Sequence, residues 1–259
     1  MGGSMNALDL LDGSSFNYKE VTIKRAGVPE LKFMVRESVK GEWSDRKAIA
    51  ECVDRNTYQK PRLGFCIEPG EDWVDCGANV GGFSCLVNAL GANLVAAYEP
   101  HGPNLVMCHG NLRLNGFDPT PAEAYAVVHD SYQGVAATLN VNRKPIQARR
   151  HSILLARQGS SPVEVPVIRW SDFARDRCVK MNIEGAEIEI LREMKEPLPL
   201  KLVTEWSFDV ERKVDVLREV RAKLEGWYDH VVINRSIPLD LDEWHFFPPN
   251  AFIYAWGRK

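Results

Sequence analysis

From Trp73 to Leu90 the chain runs WVDCGANVGGFSCLVNAL: a short apolar run holding a carboxylate, a turn with three glycines, then apolar residues at helical spacing. The order predicts a strand, a tight turn and a helix, which brings a ligand against backbone amides at a helix N-terminus. No other segment constrains the fold as strongly. Leu94 to Tyr98 supplies a second strand ending in Glu99 and Pro100, and Pro103 to Leu114 a second helix, so the segment begins a βαβ unit.

Downstream, strands are expected at 123–128, 136–141, 163–168, 179–183, 202–206, 228–233 and 251–256, with helices at 187–194 and 210–224. Upstream, YKEVTIKR and ELKFMVRE flank AlaGlyValPro as a β-hairpin, and 45–57 reads as a helix with Ser44 as its N-cap. This is an α/β pattern: a Rossmann-like, mostly parallel seven-stranded sheet with one antiparallel edge strand, plus a small N-terminal hairpin and helix cap. The expected organisation is 1–15 as tag remnant and flexible N-terminus (MGGSM reading as an expression scar), 16–69 as the cap and 70–259 as the core. At 259 residues, 45% hydrophobic and 26% charged, the chain has the size and composition of a soluble globular protein.

The turn lacks the spacing of GxGxxG and has no Lys-Ser/Thr pair of a P-loop. Its strand carries Asp75, which would repel a pyrophosphate but suits a donor bearing a sulfonium and an ammonium, as S-adenosylmethionine does. Glu99, about twenty residues on, stands where a carboxylate accepts hydrogen bonds from ribose hydroxyls, a role shared with NAD enzymes. A purely structural account needs Gly77, Gly81 and Gly82 only to turn the chain, Asn79 only to cap or adopt a left-handed conformation, and Asp75 only to bond loop amides.

VDCGANVGGFS from Val74, TyrGluPro from Tyr98 with Asn104 after it, and VKMNIEGAEIEIL from Val179 together resemble the successive motifs of the FkbM-type methyltransferases. The resemblance runs from about Gly70 to Trp206. It implies the class I methyltransferase fold, S-adenosylmethionine as donor (S-adenosylhomocysteine as product) and, for many members, methylation of hydroxyl groups on sugars, polyketides or other metabolites. By position, Asp75, Gly77, Asn79 and Gly81 would line the methionine half of the donor and Glu99 would hold the ribose, with Cys76, Ala78, Pro100 and Asn104 as further donor-binding positions and Asn182 able to hydrogen-bond the donor's amine or the acceptor hydroxyl. Ala126 and Val127 would lie beside the adenine. Asn182 departs from the family, which usually has Asp there, and an amide cannot act as a general base.

Methyl transfer to oxygen needs an aligned acceptor and removal of its proton. Ligands of open α/β sheets sit beyond the carboxyl ends of strands, which selects Asn182, Glu184 and Glu205 as catalytic candidates. Glu184 could instead complement the dipole of the following helix, and Trp206 could be pocket wall or core. His129, His151 and His245 are further candidate bases. Glu184, Glu187 and Glu205 show no further pattern of a metal site, so no metal is expected.

The expected reaction is O-methylation of a sugar, glycan or small-molecule hydroxyl. RNA or protein methylation, and donor binding without transfer, remain as alternatives. The net charge of −3 offers nucleic acid no global attraction, although Arg143, Lys144, Arg149 and Arg150 form a basic stretch. The six cysteines form no CxxC pair. No apolar run nears the roughly 20 residues of a membrane span, and no signal peptide is visible, so a cytoplasmic location is expected. Acceptor choice should lie in the cap with Tyr58 and Arg62, in 142–161 and in 235–250.

Overall fold

The computed structural model describes residues 17–37, 44–142, 153–154, 160–196, 198–207, 214–234 and 250–259. The basic stretch, most of the two expected specificity loops, His151 and His245 lie outside the described residues.

In chain order, β1 (Asn17–Arg25) and β2 (Val28–Glu37) precede α1 (Ser44–Cys52). The first core unit is β3 (Asp72–Cys76), α2 (Gly82–Ala89), β4 (Asn93–Tyr98), α3 (Gly102–Leu114) and β5 (Ala122–Glu123). A side sheet contains β6 (Ala126–Val128), β7 (Ala136–Asn142) and β8 (Ser160–Arg169). The second core unit is β9 (Cys178–Met181), α4 (Glu187–Glu193), β10 (Lys201–Ser207), α5 (Val214–Trp227), β11 (Tyr228–Asn234) and β12 (Asn250–Arg258).

The seven-stranded sheet runs β11-β12-β10-β9-β3-β4-β5. This is the class I methyltransferase sheet. All its pairs are parallel except those of β12, which is antiparallel to both β10 and β11. The antiparallel strand therefore sits one place in from the edge rather than at the edge itself, because β11, after α5, takes the outer position and β12 returns between it and β10.

Two other expectations shift. The run 123–128 is two strands, since the Glu123 carbonyl accepts both Glu99 N–H and Tyr125 N–H and the chain then leaves for the side sheet. The helix of the cap stops at Cys52 rather than at 57. There Arg55 N–H reaches back to the Ala50 carbonyl and Asn56 takes a left-handed φ of 53°.

Alternation along the strands divides the core between the two sheet faces. Val74, Cys76, Val179, Met181, Leu202 and Trp206 pack on one side with α4 and α5 residues such as Leu191 and Leu217. Trp206 is fully buried there, so it is core rather than pocket wall. Trp73, Cys178, Val203 and Tyr254 pack on the other side with residues of α1, α2, α3 and the hairpin. Asp75 and Lys180 are register partners across β3 and β9, on that second side. Period two extends this face to Asn182 and Glu205 at the strand ends.

The hairpin is fastened by asparagines. Asn104 and Asn111 of α3 and its C-cap, Asn115, are seven and four residues apart and point the same way. Asn115 accepts from Lys32 N–H at 2.9 Å and donates to its carbonyl at 2.7 Å. Asn111 does the same with Met34 at 2.7 and 3.3 Å. Asn104 accepts from the Arg36 guanidinium at 2.8 Å. Four residues of helix rise about 6 Å and two of strand about 6.6 Å, so helical amides stand in for a neighbouring strand along the free edge of β2.

Candidate functional site

The turn after β3 is shaped by backbone crowding. Gly77 has φ +81°, and a Cβ there would lie 1.9 Å from the Asn182 carbonyl oxygen. Only glycine fits. Gly77 and Ala78 N–H both donate to the Tyr98 carbonyl, and Asn182 N–H donates to that of Cys76. The ends of β3, β4 and β9 are thus locked together at the point where the strand order reverses, the usual place for a ligand in such sheets. Asn79, with a left-handed φ of 52°, aims its N–H at Glu99 Oε2 at 2.8 Å, while His101 N–H reaches Oε1 at 2.9 Å. Glu99 is buried, and burial raises its carboxyl above the usual range; the two amides, Lys180 and the Asn104 side chain pull the other way.

Behind Glu99 the network continues into the cap. Asn104 accepts from Arg36, whose guanidinium grips Asp45 of α1 through two bonds of 2.8 Å. The pair is sealed from solvent, and Asp45 holds the guanidinium above its ordinary value against the cost of burial. The hairpin and α1 thereby brace the carboxylate expected to meet the ribose.

A cavity of about 300 Å³ opens beside these strand ends. Of the residues expected from sequence, Gly77, Ala78, Asn79, Glu99, Pro100 and Asn104 line it. So do Ala126 and Val127 from the side sheet, and Asn182, Glu184 and Glu205. Asp75, Cys76 and Gly81 do not. Cys76 packs on the opposite sheet face, and Gly81 is the N-cap of α2, against Cys108. Asp75 is fully buried, with Oδ2 accepting from Ser84 Oγ at 2.7 Å and Oδ1 from Lys180 Nζ at 2.8 Å. The carboxylate expected to face a cationic donor is instead matched to an internal cation, which register placed beside it.

Lys180 escaped the reading of the sequence, although a lysine inside ValLysMet is the signal of a buried partner. Its ammonium also donates to the Gly77 carbonyl at 2.8 Å and lies 5.3 Å from the Tyr58 ring centroid. One amine thus clamps the floor of the glycine turn. Arg36 and Asp45 were also missed. Tyr58 lines the cavity, whereas Arg62 is exposed outside it. His129 is bonded to Ser131 and Glu193, away from the cavity.

The far wall is acidic. Asn182 donates its amide to Tyr58 Oη and to Glu205 Oε2. Burial, with Glu184, Glu187 and Glu51 nearby, pushes the Glu205 carboxyl up to about 8, although Lys180 opposes the shift. Burial likewise pushes Glu187 up to about 7, and Glu184 adds to it. Glu184 itself adopts φ +56° in the turn before α4. Among the described residues no group of three His, Cys, Asp or Glu side chains is disposed to hold a metal ion, and no helix is long and apolar enough to cross a membrane.

The family model "Methyltransferase FkbM domain" matches residues 75–229, more than half of the chain. No curated protein matches it. Among solved structures, the chain is similar to the SAM-dependent methyltransferase from Agrobacterium tumefaciens at 13% identity, covering 93% of this chain and 71% of that one with a TM-score of 0.46. It is similar to M. jannaschii TYW2 in complex with AdoMet at 15% identity, over 92% of this chain and 84% of that one, TM-score 0.43. Similarity to the precorrin-6y C5,15-methyltransferase from Geobacter metallireducens is 13% in identity, over 85% and 93% of the two chains, TM-score 0.39.

Proposed function

The chain belongs to the FkbM methyltransferase family, and from that premise we propose that it methylates a hydroxyl of a sugar, glycan or small-molecule metabolite with S-adenosylmethionine as donor. The single observation that carries the reading is the cavity built by Gly77, Asn79 and Glu99 at the reversal of strand order. The residues fit this donor: Gly77, Ala78 and Asn79 present the turn to the cavity, and Glu99 is held rigid by two amides. A carboxylate has about four acceptor sites, so Glu99 retains capacity for ribose hydroxyls. Ala126 and Val127, with Tyr125, offer an apolar slot for a base. Lys180, the cation nearest the turn, is committed to Asp75, which leaves no cradle for a pyrophosphate.

When bound, the donor supplies an activated methyl group; the chain aligns the acceptor and takes its proton. Asn182 cannot take a proton, but it is fixed against Glu205, and a carboxyl titrating at about 8 is a competent base for a hydroxyl near neutral pH. Glu205 receives the proton, Asn182 and Tyr58 orient it, and Glu184 contacts the acceptor. The acidic wall also weighs against an anionic acceptor such as RNA.

Calorimetry with S-adenosylhomocysteine on the natural sequence and on Glu99→Ala tests the donor site: binding lost in the variant supports it, whereas equal binding by both removes Glu99 from the site. Transfer of labelled methyl to a panel of sugars and glycans, with Glu205→Gln as control, tests the acceptor class. Labelling of RNA or protein in place of all sugars would overturn it.

A further inference from the structure

S-adenosylmethionine brings one negative group to the site, the carboxylate at the end of its amino-acid tail. A charge taken out of water needs a partner of opposite sign. Among the described residues two cations line the cavity, Lys180 and Arg55, and every other charged side chain of the lining is a glutamate. Lys180 has no donor to spare. The three protons of its ammonium are matched by Asp75 Oδ1 at 2.8 Å, the Gly77 carbonyl at 2.8 Å and the Cys76 carbonyl at 3.3 Å. Arg55 is the opposite case. It is exposed, and its guanidinium makes no hydrogen bond or ion pair among the described residues.

The backbone beneath this guanidinium is fixed. α1 ends at Cys52, and the turn after it is tied down at several points. The Val53 carbonyl accepts from Arg25 Nη1 of β1 at 2.9 Å, Arg55 N–H donates to the Ala50 carbonyl at 2.8 Å, and the Thr57 carbonyl accepts from Tyr254 Oη of β12. α1 itself rests on the start of α2, where a Cβ on Gly82 would lie 3.2 Å from Ile49 Cα and 3.3 Å from Cys52 Sγ. Tyr58, three residues past Arg55, meets the Asn182 amide at 3.1 Å, just beyond β9. The turn therefore stands over the ends of β3 and β9. The slot of Ala126 and Val127 lies the other way, past β4. With the ribose at Glu99, on the end of β4, a donor whose base enters that slot sends its tail across β3 toward β9 and the turn that carries Arg55.

We propose that Arg55 binds the α-carboxylate of the methyl donor. The proposal rests on the methyltransferase reading above. A guanidinium offers paired N–H groups that meet a carboxylate in two parallel bonds, and a bound tail covers a side chain that is otherwise open to solvent.

Two ligands that differ only in the carboxylate isolate this contact: S-adenosylhomocysteine and its decarboxylated analogue, which keeps the base, ribose, thioether and ammonium. Calorimetry on the natural protein should find the carboxylate worth about tenfold or more in affinity, the usual scale for a hydrogen bond between charged groups. Arg55→Met removes an exposed side chain with no partner to strand, so the melting temperature should hold while both ligands bind with the weaker affinity. Arg55→Lys should recover part of the difference, since it keeps the charge but not the paired donors. A preference for the carboxylate that survives intact in Arg55→Met overturns the proposal, and so does equal affinity of the natural protein for the two ligands. A loss in Arg55→Met shared equally by both ligands overturns it as well, because Arg55 would then act on the nucleoside or on the cavity as a whole. Failure of the natural protein to bind either ligand is a different result, which sinks the methyltransferase reading itself.

Discussion

Lys180 and Asp75 are both ionisable, both almost fully buried and 2.8 Å apart, and the glycine turn rests on the same ammonium. Removing one partner strands a charge in a buried site, which costs about 3–5 kcal/mol, whereas replacing both with apolar isosteres can be nearly neutral. Lys180→Met should therefore lower stability to denaturant by that amount. The double variant Asp75→Asn/Lys180→Met should recover much of it, and additive losses would show that the two do not act as a pair. Gly77→Ala is expected to behave differently. Its Cβ would overlap the Asn182 carbonyl, so β3 and β9 must separate locally. Calorimetry should find donor binding abolished while most of the secondary structure seen by circular dichroism remains.

At the scale of elements, the attachment of the cap follows from two periods that nearly coincide, the four-residue step of α3 and the two-residue step of β2. Asn111 satisfies Met34 N–H, the Met34 carbonyl and the Val80 carbonyl, and it is completely buried. Asn111→Ala leaves those groups without partners, and a loss of about 1–3 kcal/mol should appear in urea unfolding. Arg36→Met should weaken S-adenosylhomocysteine binding through Asn104 and Glu99, and Arg36→Lys should restore it only partly, because an ammonium cannot replace a guanidinium that holds Asp45 with two nitrogens and Asn104 as well. An equal affinity in Arg36→Met would detach the cap from the site. None of this bracing is legible in the sequence. The strands and helices from β3 to α3 are, because Val, Leu and Ile at periods of two and 3.6 report local burial directly. Glu99 and Asn79 were legible because turn and strand end fix their place. Asn111 on a helix reads as solvated surface until β2 is laid beside it. Asp75 and Lys180 lie 105 residues apart, and their pairing depends on β9 being inserted next to β3. A position relative to the local chain can be read from sequence; a position relative to a distant strand cannot.

For the molecule as a whole, one wall of carboxyls ties stability and activity to the same protons, with opposite signs. Glu187 and Glu205 titrate at about 7 and about 8 in the folded protein, against about 4.3 for an unperturbed glutamate. Between those limits the folded chain holds protons that the unfolded chain has released, so stability falls as pH rises, by at most about 1.4 kcal/mol per unit for each group, and the fall ends above the folded value. The stabilisation is fully present below about pH 4. Activity moves the other way, since Glu205 accepts a proton only after losing its own, and kcat/KM should climb across pH 7 to 8 and level off above. Melting temperature and initial rate, measured on one set of buffers from pH 5.5 to 9, should therefore cross. Glu205→Gln separates the causes: it lowers the rate by about 10²–10⁴-fold, the usual contribution of a general base, removes the upper limb of the rate profile, and flattens the fall in stability toward that owed to the other raised carboxyls, Glu187 and Glu99. A variant that keeps the natural pH–rate curve at reduced height would show that some other group takes the proton. A flattened stability curve with an unchanged rate would leave Glu205 as a buried acid with no part in the reaction.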